Sequence, residues 1–212
     1  MAALTKLQSE VLRRFFERRQ DFFLTGGGAL VGFHLRHRVT HDLDLFTVGG
    51  MIDDAERTLG EIATELGARM QTLRRAPTFR RFLIEVSSES VIVDLVRDEA
   101  PQVHDKITID GIVVDPPEEI LANKLCTLLS RTEVRDLVDV KTLEAAGHDV
   151  LEALLLAEKK DGGVSASQLA WVLSTFPIPT NDAELHGVSR DELQQYRDSL
   201  IKRLSALAYP RS

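Results

Sequence analysis

The sequence predicts an α/β (α+β) chain: a small mixed β-sheet with flanking helices, followed by a helical C-terminal region. Three observations carry this expectation. Strand-length apolar or alternating blocks recur between residues 22 and 114, helix-period patterns precede and interrupt them, and from Pro116 onward the pattern is helical. The 212 residues suffice to bury a proper core, and 43% hydrophobic with 28% charged residues is an ordinary globular composition. The layout divides into residues 1–115, the α/β core, and 116–212, the helical region.

The elements follow in order. Leu4, Leu7, Val11, Leu12, Phe15 and Phe16 recur with helical period over residues 4–19. Phe22 to Leu24 is a short buried strand running into a glycine turn, and Ala29 to Leu35 a helix packed behind it. Leu43, Leu45 and Phe46, interleaved with Asp42 and Asp44, read as a second strand. Residues 53–66 form a helix with Asp53 as N-cap and Gly67 as its stop. Strand blocks then cover 69–73, 79–86 and 91–96, and a strand or hairpin turns at Asp110-Gly111. Pro116-Pro117-Glu118-Glu119 sets prolines and acids at a helix start, as the macrodipole favours. Helices are expected over 117–130, 133–146, 149–160, 165–175 and 189–207, with Ser130 and Glu133 at capping-box spacing. No internal repeat or low-complexity tract interrupts them.

Charge and cysteine use narrow the function classes. A net charge of −7 argues against a non-specific nucleic-acid coat. Two basic clusters stand out, Arg13, Arg14, Arg18 and Arg19, and Arg74, Arg75, Arg80 and Arg81; each is either a solvated face or a rim that guides a polyanion. The single cysteine, Cys126, excludes an internal disulfide and a cysteine-based zinc site, and its helical setting points to a buried small side chain. No stretch approaches a membrane span and the N-terminus has no apolar h-region, so the expectation is a soluble, cytoplasmic protein.

The chemistry gathers in "FFLTGGGALVGFHLRHRVTHDLDLF", residues 22–46. Alternation sends Asp42 and Asp44 to one face of their strand while Leu43 and Leu45 enter the core. Two ionised carboxylates so close repel unless a cation lies between them. Oxygen-only donors suit Mg²⁺ or Mn²⁺, which completes its shell with water and substrate phosphates. "VIVDLV" supplies a third acid, Asp94, a lone charge in an apolar strand and costly there without a partner. Asp-x-Asp alone also occurs at exposed strand ends and loops; with Gly26 to Gly28 upstream and Asp94 downstream, a metal site explains the three acids better. Gly26, Gly27 and Gly28 close a strand and open a helix, where backbone N–H groups and the helix dipole form a ready anion site. The stretch is neither G-x-G-x-x-G nor a P-loop.

In combination, "LTGGGAL…RHRVTHDLDLF", "VDLV" and "ILANKLCTLLSRTEVRDLVDV" resemble the AbiEii/AbiGii-type nucleotidyltransferases of the DNA-polymerase-β-like superfamily. The superfamily pattern is an apolar residue, a glycine pair, about a dozen residues, Asp-x-Asp, and a third acid on a later strand. The family adds Arg-x-Thr before the acids, matched by Arg38 and Thr40, a lysine-bearing helix, matched by Lys124, and Arg-Asp-x-x-Asp, matched by Arg135, Asp136 and Asp139, with Arg131 nearby. The resemblance spans roughly residues 20–145; Gly28 and Thr127 depart from the usual residues. It implies a catalytic and metal-binding set Asp42, Asp44 and Asp94, and a nucleotide-binding set Gly26, Gly27, Gly28, Arg38, Thr40 and Lys124, supported by Arg131, Arg135, Asp136 and Asp139. The implied reaction is Mg²⁺-dependent transfer of a nucleoside monophosphate from a triphosphate to an RNA (tRNA 3′ end) or protein hydroxyl. The implied setting is the toxin of a toxin–antitoxin or abortive-infection pair, with a cognate antitoxin as partner.

Read without the resemblance, Lys124, Arg131 and Arg135 either aim three cations along one helix face, if the helix runs on, or form a salt-bridge ladder with Glu133, Asp136 and Asp139. His34, His37 and His41 make a poor zinc site and are expected to flank the glycines. Trp171, Leu173 and Phe176 are expected in the core of the last helices. Two rival functions remain at this point: a metal-dependent nuclease, and a nucleotide-binding protein of the same fold without turnover.

Overall fold

The computed structural model describes residues 4–208. The chain divides into two compact units, Met1–Glu99 with His104–Pro116, and Ala100–Val103 with Pro117–Ser212.

In the first unit, α1 (Lys6–Phe16) starts at a capping box between Thr5 and Gln8 and buries Leu7, Val11, Leu12, Phe15 and Phe16 along one face. Phe15 meets Phe16 and Phe22 edge to face at 5.6 and 5.5 Å. The strand β1 (Phe23–Thr25) leads directly into α2 (Gly26–Ala29), so the glycines form a helical turn rather than a free loop. The helix then widens into a π-helical turn, Leu30–His34, in which the Leu35 N–H donates to the Leu30 carbonyl at 2.7 Å. Next come β2 (Asp42–Thr47) and α3 (Ile52–Glu65). Met51, not Asp53, is the N-cap of α3. Asp53 lies in its first turn and its carboxylate is taken by Arg80 at 3.0 Å.

The strands β3 (Arg69–Ala76), β4 (Phe79–Val86), β5 (Glu89–Arg97), β6 (Ile107–Ile109) and β7 (Ile112–Val114) complete a seven-stranded sheet in the order β3-β4-β5-β2-β1-β7-β6. It is mixed: β2 runs parallel to β5 and β1 parallel to β7, and the remaining pairs are antiparallel. Leu43, Leu45, Val91, Val93, Leu95, Phe82 and Ile84 are buried on the helix-covered face. Arg14 and Arg18 both pair with Glu65, tying α1 to α3.

The second unit consists of α4 (Pro117–Ser130), α5 (Val134–Ala145), α6 (Val150–Lys160), α7 (Ala166–Ser174), a 3₁₀ turn and α8 (Arg190–Ala208). Asp149 and Ser165 cap α6 and α7 through their side chains. Ser130 and Glu133 form no capping box: Ser130 ends α4, and the Glu133 carboxylate pairs with Arg135 at 2.5 Å. Leu173 and Phe176 are core, but Trp171 is 70% exposed. Leu169, Ala170 and Leu173 occupy the inward face of α7, which leaves Trp171 on the outer one. No helix among the described residues is long and apolar enough to cross a membrane.

Candidate active site

Alternation along β2 buries Leu43 and Leu45 and leaves Asp42 and Asp44 half-buried on the opposite face. Strand register then aligns a row. Thr25 of β1 lies opposite Asp44, Asp44 opposite Asp94 of β5, Asp94 opposite Arg81 of β4, and Arg81 opposite Arg74 of β3. Directly opposed residues share a sheet face, so from Thr25 beside the glycine turn, two acids and then two arginines follow one another across the next four strands.

Asp94 is 4% exposed. The partner that a buried acid requires is Arg81, whose Nε and Nη2 donate to the two carboxylate oxygens at 2.8 and 2.6 Å, a bidentate fork. The hydrogen bonds to Asp94 hold the Arg81 guanidinium further toward its charged form; partial burial opposes this, and the charges of Asp42 and Asp44 add to it. Among the described residues no three His, Cys, Asp or Glu side chains are grouped so as to hold a metal ion, and Asp94 faces Arg81. The donor chemistry of Asp42, Asp44 and Asp94 is nevertheless the kind a hard divalent ion takes. It is all oxygen, it comes from adjacent strands on one face, and its charge already attracts a cation in the form of the guanidinium.

The glycines are held against this row. Gly26 has φ +61°, and a Cβ there would lie 2.4 Å from Asp44 Oδ2. A Cβ on Gly27 would lie 2.8 Å from Arg38 Nη2 and 3.2 Å from Thr40 Oγ1. Arg38 and Thr40 are each 6% exposed, so the Arg-x-Thr segment packs on the glycine turn. Arg38 Nη1 donates to the Val39 carbonyl at 3.0 Å and Thr40 Oγ1 to the Asp42 carbonyl at 3.3 Å. Gln8 closes the arrangement: its side-chain amide, 1% exposed, donates to the Thr40 carbonyl at 2.9 Å while its Oε1 accepts from the Thr5 N–H. Sequence reasoning missed Gln8, although the Thr5-x-x-Gln8 capping-box spacing was legible. His34 Nε2 lies 2.9 Å from the Asp115 carbonyl.

The remaining sequence candidates lie in the helical unit. Lys124 Nζ, 5% exposed, is 2.6 Å from Asp136 Oδ1 and 2.7 Å from Asp139 Oδ2. Arg131 Nε is 2.8 Å from Asp136 Oδ2. Burial pushes the Asp136 carboxyl up, but Lys124 and Arg131 outweigh it and hold the group below the usual carboxylate range. Because α4 ends at Ser130, Arg131 and Arg135 do not continue the Lys124 face, and the three cations are not aligned on one helix. Cys126 is half-buried, and desolvation pushes its thiol up to about 11.

The two basic clusters also separate. Arg13, Arg14, Arg18 and Arg19 all pair with nearby acids. Arg75 pairs with Glu56, and Arg80 is buried between Asp53 and Glu56.

With this geometry in place, comparison with known proteins is decisive for family. The family described as "Nucleotidyl transferase AbiEii toxin, Type IV TA system" matches residues 10–208. The chain belongs to this family. It is an AbiEii-family nucleotidyltransferase, and solved structures agree on the fold. JHP933 from Helicobacter pylori superposes with a TM-score of 0.58 at 19% identity, covering 96% of this chain and 92% of that one. A putative nucleotidyltransferase from H. pylori gives 0.60 at 18% identity, over 97% and 100% of the two chains. MenT4, a nucleotidyltransferase toxin from Mycobacterium tuberculosis, gives 0.51 at 15%, over 95% and 91%. No curated protein sequence matches the chain significantly.

Proposed function

We propose that this AbiEii-family enzyme moves a nucleoside monophosphate from a nucleoside triphosphate onto an RNA (tRNA 3′ end) or protein hydroxyl, as the toxin of a toxin–antitoxin pair with a cognate antitoxin. The supporting observation is the packing of Gly26 and Gly27 directly on Asp44, Arg38 and Thr40, with Asp94 next to Asp44 in register. In this reading phosphate-seeking and metal-seeking groups share one face.

In this reading the backbone N–H groups of Gly26, Gly27 and Gly28, with Arg38, bind and orient the triphosphate tail. Thr40 holds that segment in place. Asp42, Asp44 and Asp94 would hold Mg²⁺ or Mn²⁺, which when bound neutralises charge on the phosphate oxygens. Asp94 orients the acceptor hydroxyl and takes its proton. The hydroxyl oxygen bonds to the α-phosphorus as the bond to the bridging α–β oxygen breaks, and pyrophosphate departs with that oxygen. Lys124 belongs to the proposal as the phosphate-contacting cation implied by the family motif, and Arg131, Arg135, Asp136 and Asp139 as its supports.

One observation favours the rival of nucleotide binding without turnover: the Asp94 carboxylate is occupied by Arg81. The test is incubation of the protein with each α-labelled nucleoside triphosphate, Mg²⁺ and either total tRNA or lysate protein, beside Asp42→Ala/Asp44→Ala. Label on RNA or protein only with the acids intact supports transfer. Bound nucleotide without transfer supports the rival.

A further inference from the structure

Arg74 and Arg81 are the two arginines of the middle basic cluster that face the acids, and Arg74 has no acidic partner among the described residues. The Arg74 guanidinium lies 5.6 Å from the Phe79 ring centroid and that of Arg81 lies 5.7 Å from the same ring. A half-buried aromatic thus holds two cations beside the buried Asp94.

The placement of Arg74 is produced by a local irregularity. In β3, Arg69 and Gln71 lie opposite Glu85 and Leu83, on the face that carries Arg81, and strict alternation would send Arg74 to the other face. The register shift between Thr72 and Arg74 restores it to the acid-bearing face, opposite Arg81. A bulge on an edge strand that re-aims one side chain toward a site is a recurrent structural device. Arg69, further along β3 on that face, lies opposite Glu85 and so adds little net charge to the row.

We infer that the β3–β4 half of this face is the docking track for a single-stranded RNA acceptor. Arg74 and Arg81 contact successive phosphodiesters, and Phe79 holds both guanidiniums and offers its ring edge to a base. The proposal rests on the nucleotidyltransferase reading and gives it a direction: triphosphate at the Gly26–Asp44 end of the row, acceptor at the Arg81–Arg74 end. Charge complementarity selects the occupant. On a chain of net charge −7, paired guanidiniums around an aromatic suit the alternating phosphates and bases of a single strand.

The test uses the full chain with a fluorescent single-stranded oligoribonucleotide carrying a free 3′ hydroxyl, read by anisotropy over a salt series, beside filter binding of labelled nucleoside triphosphate. Arg74 is exposed, so Arg74→Ala is expected to fold. It should weaken RNA binding about 10-fold at fixed salt and flatten the slope of log affinity against log salt by about 0.7, with triphosphate binding unchanged. Arg74→Lys should recover the slope. Unchanged RNA affinity and slope in Arg74→Ala, absence of RNA binding by the wild type, or label transferred to protein and not to RNA each overturn the proposal. Loss of triphosphate binding by the wild type would instead overturn the underlying reading, since RNA binding that depends on Arg74 would survive it.

Discussion

Replacing Gly26 with alanine separates a backbone effect from a site effect. Gly26 sits at φ +61°, where an L side chain costs roughly 1–2 kcal/mol. For a chain of this length that lowers the melting midpoint by about 2–8 °C. The new Cβ would also lie 2.4 Å from Asp44 Oδ2, inside the 3.0 Å that real Cβ contacts respect, so the carboxylate must retreat by about 0.6 Å. Misplacing a reacting group by about 1 Å can cost on the order of 100-fold in rate, so a loss of about 10-fold or more in pyrophosphate release is expected. Gly67 is the control: its φ is +63° and nothing lies within 4 Å of a Cβ built on it. Both alanine variants should lose similar stability, measured by thermal melting, while only Gly26→Ala loses activity. Equal activities at equal stability would refute the assignment of Asp44 and the glycine turn to one site.

Arg81→Gln removes the fork on Asp94 and should lower stability by about 1.5–3 kcal/mol in chelator; Mg²⁺ should restore the midpoint more than it raises that of the wild type, and a variant indifferent to Mg²⁺ would count against a metal at Asp94. Asp136 has a depressed folded-state pKa, so its contribution is present above the unfolded value near about 4 and is lost as pH falls through the folded value. Melting midpoints of the wild type should therefore fall more steeply below about pH 4 than those of Asp136→Asn. With its thiol pushed up to about 11, Cys126 should resist alkylation at pH 8 in the native protein and react on unfolding. Trp171 should emit and quench as a water-exposed indole, and a blue-shifted, unquenched spectrum would contradict its placement on the outer face of α7.

The parts of this protein legible in its sequence are those set by local periodicity. The two-residue alternation of Asp42–Thr47 placed both acids on one face, and the long helices from Pro117 onward followed from 3.6-residue spacing and terminal signals. What stayed hidden depends on register between distant strands. Nothing near Asp94 announces that its partner is Arg81, because the pair is made by the antiparallel alignment of β4 and β5. The aim of Arg74 depends on a bulge, which shifts alternation without a glycine or proline to mark it. Trp171 was misplaced for a simpler reason. A large apolar side chain on a short helix suggests core, but Leu169, Ala170 and Leu173 already fill the inward stripe of α7. The candidate residues around the glycines were legible as residue types, while the close approach of Arg38 and Thr40 to Gly27, which leaves little room for a Cβ, required the fold.

The most direct test of the central claim is the product ratio of a single reaction. Purified protein, α-labelled nucleoside triphosphate, Mg²⁺ and acceptor are combined, and pyrophosphate release is measured against label incorporated, with Asp44→Asn and chelator as controls. The account predicts one pyrophosphate per label transferred, lost in the variant and in chelator. Release of orthophosphate instead, or transfer that persists without Asp44 or divalent ion, would contradict it.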